Sequence, residues 1–207
     1  MTRLSVGNDS RATPVAAIVL AAGCSQRMGP QNKLLLPIDG VPMIRRTVLA
    51  ALASHANTVI VVTGFESFPV RAALERLELT FSHNPNPDQG LSSSLRTGLS
   101  ALPDSYAGAL ICLGDMPFVE AEHMNKLIRA FKENGAHPIC APTCNAKRGN
   151  PVLWPAALFT EMKALIGDAG ARSLLTRYSK DVLAVEVSSS TILTDIDTPA
   201  CIEQLSA

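Results

Sequence analysis

At 207 residues and 47% hydrophobic, the chain has the length for one large α/β domain and the apolar content for a substantial core. Lysine plus arginine and aspartate plus glutamate number 18 each, which gives a formal net charge of zero, and aromatic residues make up 4%; a nucleic-acid partner, which calls for a basic excess and stacking aromatics, is excluded on both grounds. No apolar run approaches the ~20 residues that span a bilayer, and the polar opening lacks the apolar centre of a signal sequence, so no membrane partner is expected. Residues 1–14 are expected as a disordered lead-in and 15–207 as one cytoplasmic domain.

Val15 to Leu20 is uniformly apolar and reads as a buried strand. It opens into the small-residue turn Ala21-Ala22-Gly23-Cys24-Ser25, followed by the cations Arg27 and Lys33. After the Pro37–Gly40 turn, Met43 to Ser54 has helical periodicity, with Pro42 at its start. Thr58 to Thr63 is a β-branched strand, Pro69 to Leu79 a helix, and Leu79 to Ser82 a third strand. The Asn-, Pro- and Gly-rich loop His83 to Gly90 leads into a helix over Leu91 to Leu102. Ala107 to Leu113 carries no charge and reads as a central strand, stopped by Gly114-Asp115-Met116-Pro117.

An amphipathic helix over Glu120 to Asn134 and a strand at His137 to Pro142 follow. Beyond Arg148-Gly149-Asn150-Pro151 the pattern gives helices over Pro155 to Leu165 and Ala171 to Ser179. Strands are expected at Val182 to Val187 and Ile192 to Ile196, and Asp197-Thr198-Pro199 caps a last helix. This alternation of strand and helix predicts a Rossmann-like, doubly wound, mostly parallel sheet with helices on both faces. In such sheets ligands bind beyond the carboxyl ends of the strands, so the loops after Leu20, Val62, Ser82 and Leu113 should share one rim.

Those loops hold the unusual residues. Leu20 to Lys33 suits a phosphate cradle: small residues let amide N–H groups approach an anion, and two spaced cations follow. The alternative is a tight turn with solvated cations. The loop is neither a P-loop, lacking G-x-x-x-x-G-K-[ST], nor a dinucleotide fingerprint, lacking G-x-G-x-x-G. Asp115, at the end of an uncharged strand, is placed to bind Mg²⁺, which takes one or two carboxylates plus substrate phosphates; the alternative is a turn-forming aspartate. Asp195 and Asp197 can converge on one ion, or Asp197 simply caps a helix. Asn84 to Gly98 presents hydroxyls and amides at a helix start, for a base, a ribose or the helix itself.

The five cysteines, at 24, 112, 140, 144 and 201, are odd in number and irregular in spacing, which reads as reduced thiols rather than a zinc or disulfide framework. The four histidines have no ligand spacing, and Trp154 reads as a packed aromatic.

Taken together, LAAGCSQRMGPQNK, NPNPDQGLSSSLRTGL, GDMP, RGNPV, GDAGARSLL and DIDTP resemble the molybdenum cofactor cytidylyltransferases, a branch of the MobA-like nucleotidyltransferases. The resemblance runs from Ala17 to about Pro199. It implies Mg²⁺-dependent transfer of CMP from CTP to the phosphate of a molybdopterin-type cofactor, with pyrophosphate released. It further implies that Ala21, Ala22 and Gly23 face the nucleotide and that Arg27 and Lys33 stabilise the triphosphate. Gly90, Ser93 and Ser94 would hold base and ribose. Asp115 and Asp197 would bind the metal with Asp195 as a helper, and Arg148, Asn150, Asp168 and Arg172 would lie near the pterin. The guanylyltransferase relatives usually read LAGG where this chain reads LAAG, so Ala22 favours CTP over GTP. A recipient molybdoenzyme or its chaperone is the implied protein partner.

Rival readings are a nucleotidyltransferase for another phosphorylated acceptor, a non-catalytic cofactor chaperone, and a nicotinamide-dependent oxidoreductase. The two metal carboxylates weigh against the chaperone, and the missing fingerprint against the oxidoreductase.

Overall fold

A computed structural model of the protein describes residues 13–23, 32–168 and 171–196. The first strand, β1 (Val15–Ala21), is buried along its whole length. A small hairpin, β2 (Pro37–Ile38) and β3 (Val41–Pro42), turns through Asp39 and Gly40, both at positive φ, and leads into α1 (Met43–Leu52). Then come β4 (Thr58–Thr63), α2 (Ser67–Ala73), β5 (Thr80–His83), α3 (Leu91–Ser100), β6 (Gly108–Leu113) and α4 (Ala121–Glu133). The remainder comprises β7 (Ile139–Cys144), β8 (Lys147–Arg148), β9 (Val152–Pro155), α5 (Phe159–Lys163), α6 (Arg172–Arg177) and β10 (Val182–Glu186).

The main sheet runs β10-β7-β9-β6-β1-β4-β5, with β8 paired to β7 outside that path. β5, β4, β1 and β6 are mutually parallel, with β1 central among them. β10 is parallel to β7, while β9 runs antiparallel to both β6 and β7. The expected mostly parallel, doubly wound sheet is therefore present, with one reversed strand inside it.

Alternation along β1 sends its side chains to two cores. Val15, Ala17, Val19 and Ala21 join Met43, Val48, Leu127 and Phe131 on the α1 and α4 face. Ile18 and Leu20 join Leu95 and Leu99 on the α3 face. A methyl group on Gly98 would lie 2.5 Å from Ile18 Cγ2, so this glycine sets how closely α3 approaches the sheet.

Several expected boundaries move. The helix expected at Pro69 to Leu79 is α2, which starts after left-handed Glu66 and stops well before Arg76, whose φ of +66° is incompatible with a helix. Pro155 ends β9 instead of opening a helix; a 3-10 turn at Ala156–Leu158 intervenes before α5. The strand expected over Ile192 to Ile196 is not one. Ser190–Leu193 forms a 3-10 turn, because the Ser189 hydroxyl accepts from Thr191 N (3.3 Å) and gives the backbone a local alternative to a ladder. The expected final helix and the lead-in through residue 12 lie outside the described residues. Among the described residues no helix is long and apolar enough to cross a membrane.

Candidate active site

Because β5, β4, β1 and β6 are parallel, the loops that leave them meet at one edge, and backbone hydrogen bonds tie those loops together. Phe65 N donates to Ala22 O (3.2 Å), Asn84 N to Thr63 O (2.7 Å) and Gly114 N to Leu20 O (3.0 Å). Gly64 lies so close to its neighbours that a methyl group there would sit 2.8 Å from Ala22 Cβ and 3.0 Å from Pro87 Cβ. The shared rim expected from sequence is thus real. Ala21 and Ala22 are buried within it, and Gly23 emerges exposed with open space around it.

On the β1–β6 side, the chain re-enters the described region at Asn32, which caps a 3-10 turn at Lys33–Leu35. Leu34 is buried against Gly114, where a methyl group would lie 2.9 Å from Leu20 O and 3.3 Å from Leu34 Cδ2. This close packing aims Lys33 across the rim, and its Nζ donates to Asp115 Oδ2 at 2.7 Å. The two side chains are 14% and 20% exposed, so the contact is a charge-assisted bond shielded from bulk water. The turn carrying Asp115 is held from two directions. Thr47 Oγ1 donates to Gly114 O (3.2 Å), and Ile196 N donates to Asp115 O (3.0 Å).

Asn32 is 7% exposed; its Oδ1 accepts from Leu34 N (3.1 Å), but its Nδ2 is buried without a hydrogen-bond partner among the described residues. A buried donor left in that condition costs on the order of 1–3 kcal/mol.

Ile196 is fully buried and docks on Asp115, while Asp195 beside it is exposed. Arg27 and Asp197 lie outside the described residues, and among those described no group of three or more His, Cys, Asp or Glu side chains converges as a metal cage. A single carboxylate at the rim suits Mg²⁺ nonetheless, since that ion is commonly held by one or two carboxylates together with substrate phosphates.

The α3 side is organised by Asn84, which is 1% exposed. Its Nδ2 donates to Ser93 Oγ (2.8 Å) and Ser94 Oγ (3.1 Å), and its Oδ1 accepts from Asn86 N (3.0 Å). Ser93 Oγ in turn lies 2.9 Å from Asn86 O and 2.8 Å from Gly90 O, and its one proton is shared between these two acceptors. The hydroxyls expected to hold base and ribose are therefore buried and bonded within the chain. What they fix is the course of the backbone from residue 84 to 90. Sequence reading did not single out Asn84; an asparagine directly after a strand is its only signal.

Gly90 has φ +87°, and a methyl group on it would collide with Asp168 Oδ1 and the Gly167 backbone. Ser92 N also donates to Gly167 O (3.2 Å). Asp168, expected near the acceptor, is thus seated at the first turn of α3, where the helix dipole favours negative charge. Arg172 is exposed at the start of α6.

Arg148 and Asn150 belong to another part of the structure. Arg148 is exposed on β8, opposite Thr143. Gly149 N donates to Pro142 O and Asn150 N to Ile192 O, both at 2.9 Å, and a methyl group on Gly149 would collide with the Ile192 carbonyl. The RGNP stretch therefore grips the 190–193 turn, whose continuation docks on Asp115. Three of the four residues expected around the acceptor fall in two places, Arg148 and Asn150 with the 190–193 turn and Asp168 with Gly90, while the fourth, Arg172, is exposed at the start of α6.

Three groups with shifted pKa values serve the core and a helix start. Burial pushes the Cys112 and Cys140 thiols up to about 12, in keeping with inert core cysteines. Burial also lowers the His123 pKa, and its neutral Nδ1 accepts from Glu120 N (3.0 Å) at the start of α4.

A mostly parallel sheet whose strand ends share one rim, with a lysine–aspartate pair on it, is the arrangement of a nucleotidyltransferase. Residues 17–182 match the MobA-like NTP transferase domain, and the chain belongs to that family. It is 31% identical to the purine catabolism protein PucB of Bacillus subtilis over 202 residues, covering 91% of this chain and 94% of that protein. It is 28% identical to the molybdenum cofactor cytidylyltransferase of Escherichia coli over 191 residues, 89% and 92% of the respective lengths. It is also 31% identical to a probable molybdenum cofactor guanylyltransferase of Natronomonas pharaonis, over 60% of this chain and 59% of that one. Among solved structures, a protein of Mycobacterium sp. strain JC1 superposes with a TM-score of 0.83 at 27% identity, covering 93% of this chain and 94% of the other. A Mycobacterium tuberculosis protein solved in complex with manganese gives 0.75 at 26% identity, covering 93% and 98%.

Proposed function

We propose that this nucleotidyltransferase moves CMP from CTP to the phosphate of a molybdopterin-type cofactor and releases pyrophosphate. The observation that carries the reading is the 2.7 Å contact between Lys33 Nζ and Asp115 Oδ2, which sets a cation and a carboxylate side by side on the rim next to the Ala21–Gly23 turn. The motifs shared with the cytidylyltransferases support the choice of acceptor, and Ala22 supports CTP.

In this reaction an oxygen of the acceptor phosphate attacks the α-phosphorus of CTP. One P–O bond forms there, the bond to the bridging oxygen breaks, and pyrophosphate departs with the electron pair. Bound Mg²⁺ supplies charge neutralisation of the phosphates. Asp115 would hold that ion, with Asp197 and Asp195 contributing as the motif implies. Lys33 and Arg27 offset charge that builds on the leaving group. Gly23 gives a phosphate access to the backbone, while the Asn84 network and Gly90 fix the wall against which the nucleoside lies. Arg148, Asn150, Asp168 and Arg172 would contact the acceptor, as the motifs imply. No side chain needs to move a proton. A recipient molybdoenzyme or its chaperone would collect the product.

The test is pyrophosphate release with CTP or GTP, with molybdopterin, with another phosphorylated acceptor, or with none. Release that needs both CTP and molybdopterin is expected. Equal release with GTP would overturn the base assignment, and release only with a different acceptor would overturn the cofactor assignment.

A further inference from the structure

Among the described residues the buried Nδ2 of Asn32 has no hydrogen-bond partner. Its orientation is fixed chemically, because Leu34 N is a donor and must face Oδ1, which leaves the two N–H bonds of Nδ2 pointing elsewhere. Buried donors are satisfied in nearly all proteins, so an orphan beside a binding site marks a place where a ligand brings an acceptor. The next residue is Lys33, whose ammonium lies on Asp115, and consecutive backbone positions are only ~3.8 Å apart. The acceptor expected beside a lysine and a metal-binding carboxylate is a phosphate oxygen.

We propose that Asn32 is a further ligand-contacting residue, its Nδ2 donating to a phosphate oxygen of the nucleoside triphosphate. This rests on the nucleotidyltransferase reading of the site and adds a neutral donor to its cations. An amide holds a phosphate oxygen by direction rather than by charge, so Asn32 would fix where the triphosphate sits while Lys33 supplies the attraction.

Two substitutions separate this from a structural role. Asn32→Ser keeps a side-chain oxygen that can cap the turn and removes the amide. Asn32→Asp keeps the capping geometry and places negative charge where the donor was. Each is compared with wild type by calorimetric affinity for CTP and for pyrophosphate in the presence of Mg²⁺, and by melting temperature without ligand. The expected result is that Asn32→Ser melts at or above the wild-type temperature, since it deletes an unsatisfied group. Its affinity for both ligands should fall about tenfold, and that of Asn32→Asp by more. Affinities within twofold of wild type for both variants would overturn the assignment. So would a fall for CTP with none for pyrophosphate, which would move the contact to the nucleoside, or a lower ligand-free melting temperature in Asn32→Ser, which would give the amide a partner within the chain. Failure of the wild-type protein to bind CTP or pyrophosphate would instead count against the proposed function itself.

Discussion

The two sides of the rim handle their polar groups differently. On the α3 side, Asn84, Ser93, Ser94 and Gly90 are bonded to one another or packed against Asp168, and little of them reaches water. On the β1–β6 side a lysine and an aspartate face each other partly exposed, and the neighbouring asparagine keeps an unmatched donor. Internal saturation gives a wall whose shape is set before any ligand arrives. A partly exposed ion pair and an unspent donor give a surface that a ligand completes. Substitutions on the first side should therefore register as stability, and substitutions on the second as binding and turnover.

Asp115→Asn should give the largest effect. Pyrophosphate release per folded molecule should drop by about 100-fold or more, the scale expected when a group that stabilises transition-state charge is lost, while the melting temperature stays within a few degrees. A variant that instead unfolds and keeps its specific rate would erase the contrast between the sides. Lys33→Met should raise the KM for CTP roughly tenfold, the order lost with one charge-assisted contact. Unchanged KM and kcat in steady-state assays would remove the lysine from triphosphate binding.

Asn84→Ala tests the saturated side. It strips the Ser93 and Ser94 hydroxyls of their donor and should cost about 2 kcal/mol, seen as a melting temperature lower by several degrees, with turnover per folded molecule largely retained. A loss of turnover without a loss of stability would place that network in direct contact with substrate. The smallest effect lies away from the rim and serves as a control. His123 must be neutral to accept from Glu120 N, and burial lowers its folded pKa below the ordinary value of 6.5. Its contribution to stability is complete above pH 6.5 and is lost as pH falls through the folded pKa. Wild type should consequently lose more melting temperature between about pH 7.5 and pH 5 than His123→Gln does. Parallel curves would dismiss the imidazole as the cause.

The sequence makes the charged side easier to read than the saturated one. β1, β4 and β6 are runs of apolar residues with no competing helical period, and strand burial on both faces explains their clarity. Asp115 stands out because a carboxylate interrupts such a run. Its contact with Lys33 could not be anticipated, because the two are 82 residues apart and meet only through the packing of Leu34 on Gly114. Asn32 and Asn84 resemble ordinary turn residues, and nothing local reveals that both are buried. β9 escaped notice for a related reason: VLWP is short, and the direction of a strand is fixed by its neighbours rather than by its own residues. Ile192 to Ile196 was expected as a strand, but a serine hydroxyl acting on the backbone two residues on decided otherwise.

The docking of Ile196 on the Asp115 backbone has a consequence for the order in which the protein matures. The parallel strands β5, β4, β1 and β6 are all encoded before residue 114, so their shared rim can assemble while later residues are still being synthesised. The turn bearing Asp115 receives its final support only when residues 190–196 arrive, themselves steered by Gly149 and Asn150. A nascent chain would thus have the outline of a nucleotide site well before its carboxylate is locked in place.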